Sequence, residues 1–118
     1  AGYKGLIQNI YKNVIETMQS EFGTKPEKLL VCISAAIGPE HAEYKQYKEE
    51  FPEEYWSYQK NAHFNFWALA EKQLVNAGIS EKNIEITRQC TVCNEKDYFS
   101  FRREKETGRN VTVIALKE

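Results

Sequence analysis

Two stretches hold most of the residue types able to do chemistry. Residues 90–109 read CTVCNEKDYFSFRREKETGR, a Cys-x-x-Cys followed by Arg102, Arg103 and Arg109. The other candidate groups are Cys32, His41 and His63. Thiolates and imidazoles bind zinc, whereas the planar fork of a guanidinium suits phosphate and carboxylate oxygens. A four-coordinate zinc site needs two ligands beyond Cys90 and Cys93. Cys32 falls within an apolar run, where a free cysteine is usually a small core residue. His41 and His63 are 22 residues apart with no ligand-like spacing. The sequence therefore offers no complete metal-ligand set, and Cys90 and Cys93 read as wall residues that position an arginine.

On an extended segment the adjacent Arg102 and Arg103 point to opposite faces, so a pocket would be lined by one of them. The alternative is that these arginines balance Glu95, Asp97, Glu104 and Glu106 on a solvated rim, since mixed surface charge is the norm. His63 reads as a hydrogen-bonded packing residue. His41 follows Gly38-Pro39 at a strand end, where functional groups often sit. Phe51, Trp56 and Phe66 read as core aromatics. There is no glycine-rich phosphate loop, HExxH or Ser-His-Asp order.

The elements that must position these groups follow from periodicity. Leu6, Ile7, Ile10, Tyr11, Val14, Ile15, Met18 and Phe22 predict one amphipathic helix stopped by Gly23 and Pro26. LLVCISAAIG (29–38) predicts a buried strand. Tyr44 to Trp67 carries nine of the fifteen aromatics, and its EYKQYKEEF stretch fits a short helix or an irregular strand. Asn65 caps a second helix with Trp67, Ala70, Leu74 and Ala77 on one face and Gly78 as its stop. IEIT (84–87), DYFSFR (97–102) and NVTVIAL (110–116) predict strands. The result is an α+β fold, mixed β-sheets flanked by helices, in a single domain over residues 1–118.

Composition narrows the function. The 118 residues are 42% hydrophobic and 28% charged, with a net charge of −1, which gives no electrostatic footprint for nucleic acid or an anionic membrane. No apolar run approaches the roughly 20 residues of a membrane span. Three cysteines cannot all pair within one chain, so a reducing, cytoplasmic setting is the simplest expectation.

Read in order, AGYKG, a helix, AAIGP, a helix ending NAGI, CTVC, DYFSFRR and TGR resemble the C-terminal half of the laccase-domain family. This YfiH-type group is known both as multicopper polyphenol oxidases and as purine nucleoside phosphorylases. The resemblance covers essentially the whole chain and implies a YfiH-like fold. It also implies a purine nucleoside as small-molecule partner, phosphorolysis of adenosine or inosine with phosphate as co-substrate, and adenosine deamination as a side capability. On this resemblance Arg103 and Lys4 would be catalytic, and Arg103, Cys90, Ser100 and Arg109 would bind substrate.

The family's zinc is held by two histidines and a cysteine upstream, and its last histidine immediately precedes the motif that is AGYKG here. Zinc is thus implied with ligands before residue 1, and the missing N-terminal segment of the same protein is the expected partner, with oligomers open. Tyr3, Lys4, Asn65 and EHAEY (40–44) depart from the family pattern. A diverged, non-catalytic interaction domain that has lost the zinc site is therefore the alternative. Two histidines do not build a multicopper cluster, so copper oxidation ranks last.

Overall fold

The computed structural model describes residues 1–117. The predicted first helix is two helices, α1 (Tyr3–Ile7) and α2 (Ile10–Phe22), separated where Asn9 takes φ 54°. Asparagine tolerates this left-handed conformation better than most residues, so the stripe continues while the helix does not. Gly23, at φ 63°, ends α2 as its cap.

A 3-10 turn, Pro26–Lys28, leads into β1 (Val31–Ile33). The aromatic stretch folds as a short helix, α3 (Tyr47–Glu50), a 3-10 segment (Glu53–Tyr58) and a small hairpin of β2 (Gln59–Lys60) and β3 (His63–Phe64). α4 (Phe66–Asn76) starts at Asn65, whose Oδ1 accepts from the Ala68 N–H at 3.1 Å. After Gly78, at φ 101°, β4 (Ile84–Ile86) pairs in parallel with β1, Val31 opposite Ile84 and Ile33 opposite Ile86.

Two apolar clusters hold these pieces together. Leu6, Ala42, Phe51, Phe64, Phe66, Leu69 and Ala70 form the larger one. In it Phe64 stacks on Phe51 with centroids 4.3 Å apart and on Phe66 at 5.6 Å. Ile15, Leu74 and Ile79 form the second, beneath the β1–β4 pair. The buried face of α4 is Phe66, Leu69, Ala70, Gln73 and Leu74, so the expected stripe through Trp67 and Ala77 is rotated toward Phe66 and Leu69. Gln73 is buried because its Nε2 donates to the Leu6 carbonyl at 2.8 Å, closing the end of α1 against α4.

Two predicted strands are corrected. DYFSFR lies in loop and turn: Glu104 N–H donates to the Ser100 carbonyl at 2.9 Å, which closes the backbone on itself. The argument that Arg102 and Arg103 face opposite ways on a strand therefore does not apply. Residues 110–117 are not in a strand either; Val111, Val113, Ile114 and Leu116 are exposed, and β-propensity forms no ladder without a neighbour to pair with. No helix among the described residues is long and apolar enough to cross a membrane.

Candidate metal and anion site

Parallel pairing of β1 with β4 sends two loops from the same ends of adjacent strands. The pairing persists beyond the strands: Ala36 N–H donates to the Gln89 carbonyl at 3.1 Å, and Thr91 N–H donates to the Ala36 carbonyl at 3.2 Å. The loops then turn side by side. Residues 38–41 close a turn in which His41 N–H donates to the Gly38 carbonyl at 3.1 Å. Residues 90–94 close another, with Asn94 N–H on the Cys90 carbonyl at 3.0 Å. Gly38 lets them touch: a Cβ there would meet Trp67 at 3.0 Å and Cys90 Cβ at 3.2 Å.

This geometry brings His41 to the cysteines, which sequence spacing did not reveal. His41 Nδ1 lies 3.4 Å from Cys93 Sγ and 3.8 Å from Cys90 Sγ. The three donor atoms lie within 4.8 Å of one another. The expectation that neither histidine joins the cysteines is corrected accordingly for His41. His63 is not part of the group. It is half-buried on β3 with Nδ1 2.8 Å from the Asn61 carbonyl, on the wall of an open groove of about 350 Å³. Cys32 is exposed on β1 rather than buried in it.

The two cysteines differ in acidity. Burial pushes the Cys90 thiol up, but N–H groups of Cys93, Gly38 and Val92, with the His41 ring, stabilise its thiolate more and bring it down to about 7. The Gly38 N–H donates to Cys90 Sγ at 3.2 Å. Cys93 is raised, chiefly because its S–H donates to Cys90 and thereby favours the neutral thiol. In metal-free, reduced protein, iodoacetamide is expected to alkylate Cys90 with a midpoint near pH 7, with Cys93 following at higher pH. Peptide mapping by mass spectrometry against pH checks this. Equal midpoints for the two thiols would contradict it.

The adjacent arginines brace the two loops. Arg102 Nη1 donates to the His41 and Glu43 carbonyls, each at 3.0 Å, and its guanidinium lies over the Tyr44 ring at 5.0 Å. Arg103 Nη1 donates to the carbonyls of Thr91 at 2.7 Å and Val92 at 3.2 Å, and its Nη2 to that of Tyr98 at 2.8 Å. Its Nε is buried and faces Glu104 Oε1 at 3.5 Å without a hydrogen bond. The buried Ser100 accepts the Arg103 N–H at 3.3 Å. Cys90, Ser100 and Arg103 thus share one neighbourhood.

The other expected site residues lie outside it. Arg109 is exposed and donates to the nearby Thr107 and Gly108 carbonyls, in a shallow concavity of about 200 Å³ with Phe99 and Phe101. Lys4 is exposed on α1, whose main packing partners are α2 and α4.

The N/S donor set beside arginine-braced loops, on an α+β scaffold, could hold a metal ion. Residues 1–117 match the family described as multi-copper polyphenol oxidoreductase laccase, and the chain belongs to that family. It is 26% identical to a purine nucleoside phosphorylase of Bacteroides thetaiotaomicron, over 98% of this chain and 47% of the relative. It is 31% identical to purine nucleoside phosphorylase YfiH of Shigella flexneri, over 98% of this chain and 49% of the relative. The chain therefore spans about half the length of these relatives. The crystal structure of YlmD from Geobacillus stearothermophilus is 25% identical, with a TM-score of 0.71 over 89% of this chain and 43% of that one. That of YfiH from Bacillus licheniformis has a TM-score of 0.66 at 24% identity.

Proposed function

We propose that the chain contributes part of a purine nucleoside phosphorylase site, acting on adenosine or inosine with phosphate. The observation that carries this reading is the run of relatives named for that activity, matched along nearly the whole chain. In the reaction a phosphate oxygen forms a bond to ribose C1′ while the bond from C1′ to the purine nitrogen breaks. The electron pair leaves with the base, which takes up a proton. The sugar becomes cationic on the way, so holding the phosphate dianion against it lowers the barrier.

In this reading Arg103 contributes through its guanidinium, whose Nη1 and Nη2 hold backbone carbonyls and whose Nε has no hydrogen-bond partner here. Ser100 and Cys90 stand beside it, and Lys4 and Arg109 reach the substrate from elements further away. A zinc ion would supply Lewis-acid polarisation near the base, or an activated water for deamination. The donor chemistry of His41, Cys90 and Cys93 suits that ion, and the family resemblance implies upstream histidines and a cysteine besides.

The test is phosphate-dependent release of hypoxanthine from inosine by the polypeptide that carries those upstream ligands. Release that depends on phosphate and falls at least tenfold in Arg103→Ala is expected. A zinc-loaded polypeptide that leaves inosine intact, with no heat of inosine binding by calorimetry, would instead favour the non-catalytic interaction domain.

A further inference from the structure

We propose that His41, Cys90 and Cys93 form a zinc site of this chain's own, with a fourth coordination position open to water or an added ligand. The inference does not depend on the phosphorylase reading, because every ligand lies within these 118 residues.

Geometry carries it first. With Zn–S of about 2.3 Å and Zn–N of about 2.0–2.1 Å, tetrahedral angles place a sulfur and a nitrogen ligand about 3.6 Å apart. His41 Nδ1 stands at 3.4 Å and 3.8 Å from the two sulfurs, bracketing that value. One ion can therefore span the imidazole and each sulfur, and all three donor atoms lie within 4.8 Å of one another.

Chemistry selects the ion. Two thiolates and an imidazole match zinc, and they do not match magnesium or calcium, which take oxygen ligands. The N–H groups of Gly38, Val92 and Cys93 directed at Cys90 are the kind of surrounding support that fixes a metal-bound thiolate.

The scaffold is the second line of support. Arg102 grips the carbonyl of His41 itself, and Arg103 grips those of Thr91 and Val92, inside the Cys-x-x-Cys. Both ligand-bearing turns are thus fixed by one dipeptide, which holds the donors close before a metal arrives. Cys93 is exposed, so the fourth position faces solvent. Sites with three protein ligands and one exchangeable position are the reactive kind of zinc site rather than the closed structural kind. A plain Cys90–Cys93 redox pair would not need His41 Nδ1 in contact with both sulfurs.

The experiment uses the reduced protein, stripped with a chelator and titrated with zinc and with cobalt(II) as a spectroscopic probe. Expected are one zinc per chain, a sulfur-to-cobalt charge-transfer band, and intense visible bands of tetrahedral cobalt that shift when azide is added. Cys32→Ser retains all of these. His41→Asn and Cys93→Ser lose stoichiometric binding while their metal-free circular dichroism and thermal unfolding match the parent. Cys93→Ala, at an exposed position, is a second variant that tests the same ligand without a hydroxyl.

Several results would overturn the proposal: no zinc uptake by folded, reduced parent protein; uptake unaffected by His41→Asn and both Cys93 variants; or dependence on Cys32. One zinc per two chains, or cobalt bands insensitive to azide, would refute the open position.

Discussion

Replacing Arg103 with alanine is expected to destabilise the protein by about 3–5 kcal/mol and to weaken zinc binding about 10–100-fold. The guanidinium is largely buried, with 17% of its side chain exposed, and it donates to three carbonyls. Thr91 is itself buried, so its carbonyl would lose a charge-assisted bond that water replaces poorly. Each hydrogen bond to a charged group is worth about 1.5–3 kcal/mol, and two of the three act on the 90–94 turn while the third holds Tyr98. Arg103→Lys should not rescue the loss, since an ammonium cannot span carbonyls arrayed for a planar fork. Arg102→Ala removes two bonds at an exposed position and should cost only about 1 kcal/mol. Urea unfolding with and without zinc separates the effects. Equal losses for the two arginines would contradict the bracing role assigned to Arg103.

Phe64→Ala is the second large effect, expected to cost about 3–5 kcal/mol. Phe64 is fully buried at 0% exposure, stacked on both Phe51 and Phe66, which also contact each other at 6.0 Å, and met edge-on by Tyr44 and Tyr47. Truncation leaves a cavity at the centre of these rings, which their mutual packing keeps from closing. The same aromatic cluster supports residues 42–44, just past His41, through the Phe64 N–H on the Ala42 carbonyl at 3.0 Å. Zinc binding should therefore fall less than stability does. A loss below about 1 kcal/mol would mean that the aromatic cluster is not the core.

What the sequence disclosed and what it withheld divide along the line between local and non-local forces. The stops at Gly23 and Gly78 and the Asn65 cap were legible because each depends on a few neighbouring residues, whereas the buried strand expected over 29–38 shrinks to Val31–Ile33 with none of its residues buried, and its partner is β4. The break at Asn9 was not, since an apolar stripe survives one left-handed residue. DYFSFR and NVTVIAL have the composition of strands, but a strand needs a partner, and propensity does not supply one. The union of His41 with Cys90 and Cys93 was the largest omission. It arises from parallel pairing of segments about fifty residues apart, so the ligand spacing is spatial and leaves no trace in a motif. One signal was present: His41 lies two residues after Gly38-Pro39, and the small Gly38 marks a close backbone approach.

The arginines teach a related lesson. Residue type suggested an anion contact, and in the structure Arg102 and Arg103 donate to the carbonyls of His41, Glu43, Thr91, Val92 and Tyr98, in and beside the ligand-bearing turns. A guanidinium satisfies carbonyl and phosphate oxygens by the same fork of donors, so sequence alone does not separate the two uses.

The central claim is that one arginine pair clamps two turns into a three-ligand metal seat. X-ray absorption at the zinc edge of the zinc-loaded protein tests it most directly. Expected are two sulfur neighbours at about 2.3 Å, with one imidazole nitrogen and a further light atom at about 2.0–2.2 Å. A shell of oxygen and nitrogen alone, or of four sulfurs shared between chains, would contradict it.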